Sequence, residues 1–160
     1  RMALDEPKLV ERIILMAPGG LATLDYYRST EGIVEMIPVL TAPGGLTPAS
    51  LRQVFSKMLY DPSLVSDRLI EERFTIAQLQ NDAIYKRWII PPLVDEIANI
   101  RQPILALWGM NDRFCPVETS MTLMTRVKNA RMILQTGCGH WFQLEHQALF
   151  ERVVIEFLSK

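Results

Sequence analysis

Asp112 and His140 are the two residues in this chain whose types and settings could do chemistry together. Asp112 lies in Gly-Met-Asn-Asp-Arg-Phe-Cys-Pro at 109–116, and His140 in Cys-Gly-His-Trp at 138–141. Each follows an apolar, strand-like run. A carboxylate beside an imidazole can fix its tautomer and stabilise the imidazolium that forms when the ring takes a proton. The histidine would then act as general base toward a hydroxyl and as general acid toward the leaving group. An acid followed by a histidine is the order of the last two members of a triad whose serine comes first. That serine is expected on a tight strand-to-helix turn, Gly-x-Ser-x-Gly, and no such motif occurs between Arg1 and Lys160. The sequence therefore reads as the later part of a hydrolase, with its nucleophile upstream. The competing readings are a turn aspartate bonded to its own backbone and an ordinary loop histidine. Pro116 and the paired loops favour the chemical reading.

Other reactive residues are weaker. His146 sits in a helical first turn and reads as structural. Cys138, His140, Glu145 and His146 match no usual zinc spacing and include no Cys-x-x-Cys pair, so no metal is expected. Cys115 lies on the acid loop rather than a strand-to-helix elbow, and reads as an apolar pocket or core residue rather than a nucleophile. Arg73, between Glu72 and Phe74, is either a solvated helix-face arginine or one that grips a carboxylate bidentately.

Composition excludes several partners. The chain has 160 residues, 49% of them apolar and 22% charged, with a net charge of −1. That is enough to bury a core, and it supplies no electrostatic reason to bind nucleic acid or an anionic membrane. The apolar runs are too short for a membrane span. The first residues lack a signal-peptide core. Two cysteines argue against a disulfide framework. A cytoplasmic protein is expected.

The elements that must position the pair follow from patterning. Arg1 to Pro7 reads as a helix tail. Leu9 to Ala17 ends in a continuous apolar run that suits a strand buried on both faces, and Pro18-Gly19-Gly20 stops it. Helical pieces follow between about Thr30 and Ala98. Gly32 to Leu40 is one, and Pro43-Gly44-Gly45 breaks the chain after it. Thr47-Pro48 and Asp61-Pro62 both look like helix starts. Leu69, Ile70, Arg73 and Phe74 share one helical face. Pro91-Pro92 opens a segment to about Ile100. Ile104 to Trp108 and Arg131 to Gln135 are strands. A helix is expected from Pro116 to about Val127, and a last one from about Leu144 to Ser159. Phe150, Val153, Val154, Phe157 and Leu158 form the apolar stripe of that last helix. The order implies an α/β fold with three parallel strands, flanking helices and an inserted helical lid. The expected division is a core of residues 1–20 and 100–160 and a lid of residues 21–99.

On these residues the chain resembles the meta-cleavage product hydrolases, α/β-hydrolases that act on ring-opened aromatic compounds. Leu15-Met16-Ala17-Pro18-Gly19-Gly20-Leu21, Trp108 to Phe114, Cys138 to Trp141 and Glu145-His146 carry the likeness; Leu59-Tyr60-Asp61 and Arg73-Phe74 fit more loosely. The resemblance implies the C-terminal part of such an enzyme, lacking the nucleophile elbow. It implies Asp112 and His140 as triad acid and base. Phe114 and Trp141 would line the substrate pocket, and Arg73 would contact the carboxylate of a 2-hydroxy-6-oxo-dienoate. The implied reaction is hydrolysis of a carbon–carbon bond through a serine-bound acyl group, with no cofactor. The partner would be a small-molecule substrate, and a homo-oligomer is an expectation of the same likeness. The spacing from Arg73 to Asp112 is several residues shorter than is usual in that family. Two other readings remain open: an ester, lactone or epoxide hydrolase of the same fold, and a non-catalytic binding protein with a relic pocket.

Overall fold

The computed structural model describes residues 1–80 and 93–159. The segment that Pro91-Pro92 was expected to open begins outside the described residues. Three parallel strands form one sheet in the order β1 (Ile13–Met16), β2 (Ile104–Gly109) and β3 (Ala130–Gln135). Ile13 pairs with Ile104, and Ile104 in turn with Ala130. This is the α/β arrangement that the apolar runs imply.

β2 is the centre of the molecule because it is apolar on both faces. Ile104, Ala106 and Trp108 pack with Tyr27, Ile97, Leu123 and Val127 on one side. Leu105 and Leu107 pack with Cys138, Phe142 and Val153 on the other. All six strand residues are buried. Phe150, Val154 and Phe157 of the last helix cover the second face, as their spacing predicts. Leu158 does not; it is exposed. The last helix is also divided: Phe142–Glu145 and Gln147–Leu158 flank His146, whose backbone leaves the helical region.

Between β1 and β2 the chain forms helices Leu24–Arg28, Glu31–Leu40, Pro48–Met58 and Asp67–Gln78. Thr47 starts the third through a reciprocal cap with Ser50, which satisfies amide groups the first turn leaves orphaned. Asp61-Pro62 differs from expectation. It caps only a short 3₁₀ turn, Pro62–Leu64. The long helix begins later, where the Ser66 side chain accepts from the Leu69 amide. A serine offers the same oxygen as an aspartate, so sequence spacing alone did not separate the two caps. These helices build their own core from Ile33, Leu51, Val54, Phe55, Leu59 and Ile70. Phe114, from the loop after β2, belongs to that core as well.

Among the described residues β1 is paired along one edge only. Its open side borders an apolar cleft of about 390 Å³ lined by Val10, Ile13, Leu15, Leu93 and Ile97. An unpaired edge beside apolar surface is a template for another strand. The chain should therefore self-associate as its concentration rises, which sedimentation velocity would detect. Met16→Lys, at an exposed position of this strand, should weaken the association. A chain that stays monomeric at high concentration would contradict the expectation.

Candidate active site

β2 and β3 are parallel neighbours, so the loops that follow them leave the same end of the sheet. That puts Asp112 and His140 together. Asp112 Oδ2 lies 2.8 Å from His140 Nδ1. The Asp112 side chain is completely shielded from solvent, whereas that of His140 remains 22% accessible. Asp112 Oδ1 accepts the amides of Phe114 at 2.8 Å and Cys115 at 2.9 Å. One oxygen of the carboxylate thus makes the bonds of a turn aspartate, and the other faces the histidine. An ionised carboxylate only accepts, so Nδ1 donates, and in the neutral ring Nε2 then carries the lone pair. A general base needs that tautomer.

Both loops are fixed by neighbours. The Trp108 indole donates to the Cys115 carbonyl at 2.7 Å. The Thr30 hydroxyl donates to the Phe114 carbonyl at 3.1 Å, and the Gly32 amide to the Arg113 carbonyl at 2.9 Å. The Asn111 amide donates to the Cys138 carbonyl, and the Asn111 side chain accepts from the Gly137 amide. The His140 amide donates to the Met58 carbonyl at 2.6 Å. Gly109 allows the loops to meet backbone to backbone, since a Cβ there would stand 2.1 Å from the Gly139 carbonyl oxygen.

Of the aromatic residues singled out by sequence, Phe114 meets the pair, and Trp141, next to His140 in the chain, packs on the insert. The Phe114 ring lies 5.4 Å from the His140 ring, centre to centre. Trp141 packs edge-on against Phe55 at 4.6 Å. The Arg73 guanidinium sits over Trp141, 5.5 Å from its centre. That is within cation–π range. Arg73 is otherwise exposed, and no described carboxylate pairs with it.

No family model matches the chain. Individual proteins do. The chain is 31% identical, over 98% of its length, to a 2-hydroxy-6-oxo-6-phenylhexa-2,4-dienoate hydrolase of Burkholderia cepacia. It is equally similar to a 2-hydroxy-6-oxononadienedioate/2-hydroxy-6-oxononatrienedioate hydrolase of Comamonas testosteroni. The solved meta-cleavage product hydrolase of Pseudomonas fluorescens superposes with a TM-score of 0.80 at 25% identity, covering 98% of this chain and 58% of that one. The chain is similar to the meta-cleavage product hydrolases. Its fold is that of the α/β-hydrolases, and it spans about 57% of the length of the curated relatives it matches.

The remaining reactive groups of the chain are quiet. The His146 ring bonds the Gly137 carbonyl at 3.1 Å, a supporting contact for the histidine loop. Among the described residues no three His, Cys, Asp or Glu side chains converge on a common point. Burial pushes the Cys115 thiol up to about 12, helped by the nearby Asp112 charge. Burial does the same to Cys138, with Glu145 and Asp112 adding to it. Sequence reasoning missed the residues that hold the loops: Asn111, Thr30 and above all Glu145. The Glu-His pair at 145–146 was visible as part of the family likeness, but nothing in the sequence showed what the glutamate reaches.

Two neutral, buried thiols have measurable consequences. Neither should react with iodoacetamide in the native chain at pH 8, and both should react after unfolding. The native state keeps these protons up to about pH 12. An unfolded cysteine loses its proton near pH ~8.5. The unfolded state then binds fewer protons, so stability should fall as pH rises above about 9. Denaturant melts across that range would show it; rising stability would contradict the assignment.

Proposed function

We propose that this chain supplies the acid, the base and the pocket wall of a hydrolase that cleaves a carbon–carbon bond in a ring-opened aromatic 2-hydroxy-6-oxo-dienoate. The serine would come from polypeptide upstream of Arg1. The observation that carries the reading is the 2.8 Å contact between the shielded Asp112 carboxylate and His140 Nδ1, with Nε2 left to take a proton. The names of the similar proteins supply the substrate class. The helices between β1 and β2 act as the lid in this reading.

The chemistry begins with ketonisation of the enol. His140 Nε2 takes the serine proton as the serine oxygen attacks the ketone carbon. The carbon–carbon bond breaks, its electron pair leaves on the dienol acid, and a proton replaces the lost bond. The serine then carries the acyl group. Water attacks that ester, gives a proton to His140, and releases the carboxylic acid and the serine. Asp112 stays ionised and stabilises the imidazolium in both halves. Phe114 and Trp141 flank the histidine and limit its access to water. Arg73, held over Trp141, would meet the substrate carboxylate. A cytoplasmic location fits ring-opened substrates formed inside cells, and a homo-oligomer belongs to the same reading.

An ester, lactone or epoxide hydrolase is the second reading. Exposure of Arg73 favours it, because a carboxylate clamp would ordinarily be more enclosed. The enzyme that joins this chain to an upstream Gly-x-Ser-x-Gly segment separates the two. Loss of the dienoate chromophore should be catalysed, and Asp112→Asn should lower kcat by about 10⁴. Arg73→Gln should raise KM about tenfold or more for the free acid, the loss of a charged hydrogen bond, and leave a methyl ester unaffected. Equal KM for acid and ester in both proteins would favour the second reading.

A further inference from the structure

Glu145 spans the seam between the histidine loop and the helical insert. It ends the short helix Phe142–Glu145. One carboxylate oxygen accepts the Gly139 amide at 2.7 Å, immediately before the base. The other accepts the Tyr60 amide at 2.6 Å, just beyond helix Pro48–Met58. Between the same segments the His140 amide donates back to the Met58 carbonyl at 2.6 Å. Gly139 makes this close approach possible. A Cβ there would stand 2.3 Å from the Met58 carbonyl oxygen and 2.8 Å from the Tyr60 nitrogen. The result is a reciprocal clasp in which every bond but one ends on a single carboxylate.

The chemistry of that carboxylate is specific. Two amide donors converge on it, and only an ionised carboxyl presents an acceptor to each without a competing proton. A glutamine would accept one and turn an NH₂ toward the other. An aspartate keeps the charge but is one methylene shorter, and cannot reach both.

We propose that Glu145 is a positioning residue for the base: its carboxylate locks the histidine loop to the insert at Met58–Tyr60, so that the His140 ring stays on Asp112 only while the insert is seated. The role assigned to His140 rests on the hydrolase reading. The coupling itself does not, and can be measured without any reaction. It means that the insert and the base open as one unit. A ligand that lifts the insert would therefore also release the histidine from its acid.

The test compares the wild-type chain with Glu145→Gln and Glu145→Asp, kept dilute enough to avoid self-association. Amide exchange is read at Tyr60, Gly139 and His140, and the proton resonance of His140 Nδ1–H is read by NMR. In the wild type the three amides should share one protection factor. In Glu145→Gln all three should exchange about tenfold faster or more, and the Nδ1–H signal should broaden or vanish. Glu145→Asp should give a smaller change in the same direction. A purely structural role would loosen the amides but leave the Nδ1–H signal intact, and that result would overturn the proposal. Should both variants fail to fold, the wild type decides: different protection of the Tyr60 and His140 amides overturns it, and common protection supports it. Failure of the serine-completed enzyme to cleave a dienoate would remove the hydrolase reading while leaving this coupling standing.

Discussion

The Asp112 carboxylate has no contact with water, and the surrounding structure compensates for that. A charge taken out of solvent is costly unless each oxygen finds donors. Here one oxygen holds two amides of its own loop and the other holds the His140 ring. The first pair of bonds sets the loop's shape. That shape in turn places Phe114 against the insert and the Cys115 carbonyl over the Trp108 indole. Loop conformation, insert docking and histidine tautomer are thus consequences of satisfying one buried anion.

Parallel pairing makes this possible. Adjacent parallel strands release their following loops on the same side, where α/β sheets commonly build their sites. β2 and β3 do so with both loops free of long side chains at the contact. Gly109 and Gly139 remove the methyl groups that would separate the backbones. The helical insert then reaches the loops from above, through Thr30 and Gly32 on the acid side and Met58 and Tyr60 on the histidine side. It is built into the site through three main-chain groups and the Thr30 hydroxyl, so its seating and the geometry of the acid–base pair are mechanically linked.

Much of this was legible in the sequence because the relevant signals are local. β2 is an uninterrupted apolar run, and a strand buried on both faces can hardly be written otherwise. Asp112 and His140 stand out because each follows an apolar run, Asp112 three residues after Gly109 and His140 directly after Gly139. The seam was not legible, because its donors and acceptors are largely main-chain groups, which carry no sequence signal. Met58 and Tyr60 contribute a carbonyl and an amide, and any residue type supplies those. Glu145 has a side-chain role, but its partners are backbone atoms distant in the chain. The helix start at Ser66 rather than Asp61 was hidden for a related reason: both residues offer a capping oxygen, and only the packing of Leu69, Ile70 and Phe74 onto the insert core selects one. Arg73 lies on the same helix as that apolar set, yet its guanidinium ends over Trp141 near the solvent.

In the proposed hydrolase, the serine would enter beside the end of β1. Ala17 is buried and holds a left-handed backbone with φ at 39°, a costly conformation for a residue with a Cβ. It persists because its surroundings over-determine it. The Ala17 amide donates to the Leu107 carbonyl at 3.1 Å, the Gly20 carbonyl accepts from Leu93, and the Leu21 amide donates to the Tyr27 hydroxyl. The strained turn ends β1 at the same end of the sheet that carries the acid and the histidine. A parallel strand added to the open edge of β1 would finish beside it, one strand further out. A serine on a sharp turn after that strand would approach the pair from the β1 side, opposite β3. In that reading the open edge, the strained turn and an Nε2 that bonds no described residue belong to one geometric requirement.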